Sequence, residues 1–245
     1  LCSLWASREP SKSQRMDGSG PDRAWILEAN HRQCVEELFD EYAEDFDRHL
    51  GALRYDVPSS LVSMLPPDHF DHCIDLGCGT GLAGLQLRDR CRRLEGVDLS
   101  SGMVDKARER GIYDDLHCRD LVAHLRRLQD RSCDLIIATD VVMYLYSIKP
   151  FIVEAERVLR TGGWLAFSTE SAQDEEAPNG VVERSSERFA HTRKAILAMT
   201  SHFTQEDVQE VDVRLDGPAG VIKGDIFLLR LGDAESVPAP VAEAK

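Results

Sequence analysis

With 245 residues, 42% of them hydrophobic and 29% charged, the chain can bury the core of one large α/β domain or two small ones. A net charge of −14 argues against a broad basic surface for nucleic acid. The most apolar stretch, 133–146, is interrupted by Asp134, Thr139 and Asp140, which argues against a membrane-spanning helix.

Residues 1–22 are rich in Ser, Arg, Gly, Pro and Asp without periodicity and read as a disordered leader. From Arg23 the pattern turns helical. Trp25, Leu27, Val35, Leu38, Phe39, Tyr42, Phe46 and Leu50 recur at spacings of three and four, with acids between them. A short helix around Ser59–Met64 lies between Pro58 and Pro66-Pro67, so residues 23–66 form a helical cap ahead of a core at 67–232. Asp68-His-Phe-Asp-His72 reads as a polar turn; no fuller ligand set accompanies it, and no metal is expected.

A regular alternation follows. Short β-like runs at 72–76, 93–98, 115–118, 133–139 and 164–169 are separated by helix-like runs near 81–91, 101–110, 120–129 and 148–160. Strands alternating with helices of this length imply right-handed crossovers and a parallel sheet covered on both faces. Val208–Leu215 and Asp225–Leu231 flank Asp-Gly-Pro-Ala-Gly and read as an antiparallel pair ending the sheet; 233–245 reads as a flexible tail. The seven cysteines are scattered, odd in number and lack a Cys-x-x-Cys pair, which reads as free thiols in a reducing, cytoplasmic compartment.

Asp75-Leu-Gly77-Cys78-Gly79-Thr80-Gly81 comes straight off the first strand and opens the first helix. Glycines there permit a tight turn and close backbone approach to a ligand, and the helix start offers unpaired N–H groups. That logic serves dinucleotide and S-adenosylmethionine sites alike. Gly79, Gly81 and Gly84 formally spell G-x-G-x-x-G, yet counting from Gly77 at the strand end puts Leu82 in the sixth position. Asp98 ends the next strand, 21 positions after Gly77, where a carboxylate matches the two hydroxyls of a ribose. Ser100 reads as the N-cap of the following helix.

The run Asp-x-Gly-x-Gly-x-Gly, with Asp98 one strand later, resembles the first motifs of class I S-adenosylmethionine-dependent methyltransferases. The resemblance covers roughly residues 35–231. It is nearest to predicted small-molecule methyltransferases related to the tetratricopeptide-repeat methyltransferases, through Glu37–Leu50 and Arg188-Phe-Ala-His191, although no such repeat is present. It implies a Rossmann-like, seven-stranded, mostly parallel sheet with a terminal antiparallel hairpin, and S-adenosylmethionine as methyl donor. A small-molecule acceptor is implied, with no nucleic acid or membrane as partner, and a monomer or weak homodimer. Competing readings are a non-catalytic scaffold with this fold and an NAD-dependent oxidoreductase.

The resemblance places Leu99 and Met103 near the adenosine, and Asp120-Leu121 near the adenine amino group; Asp120 equally suits a helix N-cap. Ligands of open α/β sheets bind outside the strand carboxyl ends, which puts Thr139, Asp140 and Val141 by the transferring methyl. Tyr42 shares a helix face with Phe46 and either bonds the methionyl group or simply packs. Tyr144 and Tyr146 either line the acceptor site or cover the sheet edge. His191 is the candidate general base, and Arg188 a candidate anchor for an acceptor carboxylate, against purely structural roles for both. The acceptor pocket is expected from 23–66 and 171–202, with Ala172–Gly180 as a lid or a solvated loop.

Overall fold

The computed structural model describes residues 21–52, 55–186, 188–215 and 220–232. The leader up to residue 20, the side chains of Trp25 and Leu27, the turn residues 216–219 and the tail 233–245 lie outside the described residues. The described residues open with three helices, α1 (Pro21–Tyr42), α2 (Phe46–Ala52) and α3 (Val57–Met64). Helix α1 begins inside the expected leader, with Pro21 in the first turn, where its missing N–H costs nothing.

The core follows as β1 (Phe70–Leu76), α4 (Leu82–Leu87), β2 (Cys91–Asp98), α5 (Ser101–Arg110), β3 (Asp115–Cys118), α6 (Leu121–Leu125), β4 (Cys133–Ala138), α7 (Lys149–Val158) and β5 (Leu159–Ala172). These five strands run parallel in the order β3-β2-β1-β4-β5. Two long strands, β8 (Phe203–Leu215) and β9 (Val221–Leu231), close the sheet as an antiparallel pair against β5. Seven strands thus stand in the expected arrangement.

Two more were not foreseen. Between β5 and β8 the chain forms β6 (Val181–Glu183), β7 (Phe189–Thr192) and helix α8 (Arg193–Met199). Glu170 pairs with Gly224 of β9 on one side and with Ala190 of β7 on the other. Strand β7 therefore takes the edge of β5 that β4 vacates, above the carboxyl end of β4. The intervening loop is pinned: Arg184 grips both carboxylate oxygens of Glu176 at 2.8 and 2.9 Å, and Ala177 is buried. Those bonds lower the Glu176 pKa to about 2.

The core splits across the sheet as the strand period requires. In β4, Ile136 and Ala138 face α6 and α7, while Leu135 and Ile137 face α3 and α4. Fully buried Phe151, Phe167 and Phe227 stack on the first face, and Leu61, Leu87 and Leu94 fill the second. Among the described residues no helix is long and apolar enough to cross a membrane.

Two expectations need correction. Cys73 and Cys91 form a disulfide, with Cα atoms 6.2 Å apart on neighbouring strands β1 and β2; Cys78, Cys118 and Cys133 are free thiols. The sequence pattern missed it because the partners meet through parallel pairing across a helix, not through local spacing. And the segment 68–72 is not all turn: Phe70–His72 start β1, and His72 is buried.

Candidate cofactor and acceptor site

A cavity of about 1240 Å³ opens at the carboxyl ends of β1, β2 and β4 and is roofed by α1 and α2. Gly77, Cys78, Gly79 and Thr80 form its floor, Asp98, Leu99, Ser100 and Met103 one wall, and Asp120 and Leu121 its far end. Thr139, Asp140, Val141 and Tyr144 lie opposite.

The glycine turn is shaped by contacts on both sides. Gly77 holds φ +68°, and a Cβ there would stand 2.6 Å from the Val141 side chain. The amides of Gly77 and Cys78 donate to the Val97 carbonyl (2.7 and 3.0 Å), and the Gly79 amide donates to Asp98 Oδ2 (2.8 Å). These three N–H groups are therefore engaged inside the protein and do not form the anion cradle that the helix start suggested. The first two tie the turn to β2, and the Gly79 amide holds Asp98, whose other oxygen accepts from Ser100 N at 2.9 Å. Burial raises the Asp98 pKa against these bonds. A carboxylate fixed in this way keeps lone pairs for a diol in the cavity.

Gly84 also finds its reason. Tyr113 crosses Gly84 and Gly96, at positions where any Cβ would collide with its ring, and its hydroxyl donates to Asp75 Oδ2 at 2.7 Å. The apparent third glycine of a dinucleotide fingerprint thus makes room for a tyrosine. Asp75 is fully buried behind the turn, off the cavity wall, and burial raises its pKa to about 7. Gly81 is likewise behind the wall, capping α4 at φ +96°.

The predicted helix caps hold. Ser100 accepts from Met103 N at 3.1 Å, and Asp120 accepts from Ala123 N at 2.8 Å. Asp120 caps α6, as the N-cap reading expects, and also lines the cavity and pairs with Arg32 at 3.4 Å.

The roof is tied down by polar contacts. Asp47 accepts from the Thr80 hydroxyl at 2.6 Å and pairs with Arg110; Asp40 accepts from Ser100 Oγ at 2.6 Å and Gly102 N at 2.9 Å. Thr80 thus spends its hydroxyl on the cap. Phe39, Phe46 and Leu50 present the apolar inner surface. Tyr42 is not among them: its hydroxyl meets His49 Nδ1 at 2.6 Å, and its ring braces Phe46 edge-on at 5.6 Å. It supports the roof and does not contact the cavity.

The opposite end is where a methyl acceptor would enter. Asp140 stands at φ +52°, its N–H donating to Ser168 Oγ and its Oδ1 accepting from the same hydroxyl, both at 2.8 Å. Tyr55 bonds the Asp140 carboxylate, and burial, then that charge, keeps its hydroxyl protonated. The Arg188 Nε donates to the Tyr144 hydroxyl at 3.1 Å, and the guanidinium lies 5.4 Å over the Tyr144 ring. Arg188 is only 7% exposed, and its nearest carboxylate among the described residues, Glu170, is 3.9 Å away. Tyr146 lines the same end and packs edge-on against Phe189.

His191 does not belong to this wall. It sits inside β7, pairs with Ser171 and Val181, is 2% exposed, and has its pKa lowered by burial. Phe189 and His191 share one face of β7, but residue 191 lies two positions further along, between Ser171 and Val181, and is packed away from the cavity that Phe189 lines. The general-base role expected for it is therefore withdrawn. His31 lines the cavity instead, edge-on to Phe189 at 5.3 Å, with burial lowering its pKa. Its signal was present: His31, Val35, Phe39 and Tyr42 share one helical face. Tyr55 had none, because its place depends on how α2 and α3 turn back over the sheet.

Residues 74–167 match the family model described as "Methyltransferase domain". A malonyl-[acyl-carrier protein] O-methyltransferase of Serratia marcescens is 31% identical over 142 residues, covering 58% of this chain and 54% of that one. Human methyltransferase-like protein 27 is 37% identical over 82 residues, 31% of this chain and 34% of that one. The chain spans about half the length of the curated malonyl-carrier relatives it matches. A geranyl diphosphate C-methyltransferase of Streptomyces coelicolor A3(2), solved with Mg2+, geranyl diphosphate and S-adenosyl-L-homocysteine, superposes with a TM-score of 0.64 at 15% identity. It covers 82% of this chain and 98% of that one, a likeness of fold alone.

Proposed function

We propose that the chain is a class I S-adenosylmethionine-dependent methyltransferase, a reading supported by the family match over residues 74–167, and that it methylates an acidic acceptor, a small carboxylic acid free or tethered to a carrier, seated against Arg188. The observation that carries this is the buried guanidinium on the cavity wall, with Nε given to Tyr144 and Glu170, its nearest carboxylate among the described residues, at 3.9 Å. Burying such a cation is costly unless an anion completes its fork, and a carboxylate matches that geometry. The acid named in the malonyl-carrier relatives is of the same chemical kind.

The donor supplies an electrophilic methyl on a sulfonium centre. The residues fit it: Asp98 is oriented for the ribose, Asp120 and Leu121 bound the adenine end, and Phe39 and Phe46 exclude water. A carboxylate nucleophile is already ionised near neutral pH, so alignment is the main task of the protein. Arg188 and Tyr144 would hold the acceptor, while Asp140 and Tyr55 fix the lip where the two ligands meet. We take the protein as a cytoplasmic monomer or weak homodimer.

The test is S-adenosylhomocysteine production against a panel of mono- and dicarboxylic acids, free and carrier-linked, beside amines and phenols of similar size. Arg188→Met should lower kcat/KM for acids by roughly 30-fold or more, the effect of removing one partner of a buried charge pair, about 2–5 kcal/mol. Methylation of amines or phenols alone, or full activity on acids in Arg188→Met, would overturn the reading. Failure of wild-type protein to bind S-adenosylmethionine in calorimetry would favour the scaffold instead.

A further inference from the structure

On the far side of β2 from the glycine turn, three histidines close around one buried carboxylate. His72 on β1, Glu95 on β2 and His117 on β3 stand side by side on one sheet face, and His124 of α6 covers them. None of the four lines the cavity described above.

The two oxygens of Glu95 have different company. Oε2 accepts from His72 Nε2 at 3.0 Å and lies 3.3 Å from the Arg93 guanidinium, which Asp115 also holds at 2.9 Å. Oε1 faces two imidazole nitrogens, His117 Nε2 at 3.1 Å and His124 Nε2 at 2.8 Å. His124 Nε2 is buried and comes within 2.8 Å of that oxygen without forming a well-aligned hydrogen bond. Two imidazole nitrogens converging on one carboxylate oxygen is an arrangement that ligands of a single ion adopt. Bonds of about 2.0–2.2 Å in a tetrahedral site put neighbouring ligand atoms roughly 3.3 Å apart, the scale seen here.

We infer that Glu95, His117 and His124 form a site for a divalent transition ion of the zinc class, with His72 as a positioning residue on the far carboxylate oxygen. One carboxylate and two imidazoles suit zinc, and the nitrogen donors select against calcium and magnesium. His117 is the exposed member, its side chain 33% accessible, so the fourth position opens toward solvent and the ion has an entry path. His72 is anchored through Nδ1 to the Ser132 carbonyl at 3.2 Å, the support that ligands of bound metals commonly have. Local spacing concealed the set, because its members come from four elements of the fold.

The site is tested on the full chain, free of any histidine tag and stripped with a chelator. Titration with Co2+ should give one equivalent of d–d absorption of tetrahedral intensity with no thiolate charge-transfer band, and Zn2+ should displace it. His117→Ala, a half-exposed change on a sheet-edge strand that leaves the core intact, should abolish uptake and the rise in Tm on adding Zn2+. His72→Asn should weaken uptake by roughly 10–100-fold, the usual effect of losing an outer partner. No uptake by wild type, equal uptake by His117→Ala, or a thiolate band placing the ion on a cysteine would each overturn the assignment.

Discussion

The two ends of the cavity are built on different plans. At the cofactor end, the backbone amides are held from within the strand–helix units of the core: the Gly79 and Ser100 amides by Asp98, the Met103 amide by Ser100, the Ala123 amide by Asp120. At the acceptor end, the groups arrive from distant segments: His31 from α1, Tyr55 before α3, Tyr144 after β4 and Arg188 before β7. The first plan makes a site whose shape survives changes elsewhere. The second makes a site that a rearranged cap or hairpin can retune, which is how one fold serves many acceptors.

The contrast can be broken first at Asp98. Asp98→Ala strands two amides and removes the fixed carboxylate, so S-adenosylmethionine affinity should fall by about 2–5 kcal/mol, or more than 30-fold, while acceptor affinity holds; calorimetry with each ligand reads this directly. Comparable losses for both ligands would mean the two ends are not independent.

A second effect concerns stability and pH. Asp75 has its folded pKa raised by burial to about 7, so the folded state holds a proton there that the unfolded chain releases nearer pH 4. Wild type should therefore lose stability as pH rises from about 4 to 7, at up to roughly 1.4 kcal/mol per unit from this group. Denaturant melts of Asp75→Asn should show that slope removed, so the variant gains on wild type as pH rises. A parallel pH dependence in both proteins would sink the claim.

Tyr113→Phe is expected to cost about 1–3 kcal/mol of stability by taking away the hydroxyl that serves buried Asp75. It should leave acceptor preference untouched, as befits a group behind the cofactor end. Smaller still is the effect of His191→Gln on the chemistry. With the ring packed inside β7, the pH profile of kcat should keep its shape even where stability drops, and a displaced or lost limb would restore the base role. Least of all, Tyr42→Phe should shift cofactor affinity by no more than about twofold, the hydroxyl serving His49 outside the cavity.

Much of the architecture was legible. Strand periodicity marked β1 to β5 and the closing pair, and Ser100 and Asp120 announced helix starts that the structure bears out. The cofactor end was legible for the same reason: Gly77, Gly79, Asp98 and Met103 lie on consecutive elements whose spacing is set by one strand–helix–strand unit. Strands β6 and β7 were missed because three- and four-residue runs carry too little period to read. His191 was misplaced because its burial follows from pairing with β5 and β6 on both sides, and the strand that carries it was not foreseen.

By itself, then, the sequence determined the sheet, the glycine turn and the acid that closes it, because these depend on period and on contacts within one βαβ unit. Only the tertiary structure decided that Gly84 serves Tyr113 and that the Gly79 amide holds Asp98. It alone brought Cys73 to Cys91, Arg188 to Tyr144, and three histidines to Glu95. Such pairings join residues far apart in the chain, and their energy appears only once the sheet has brought the partners within reach.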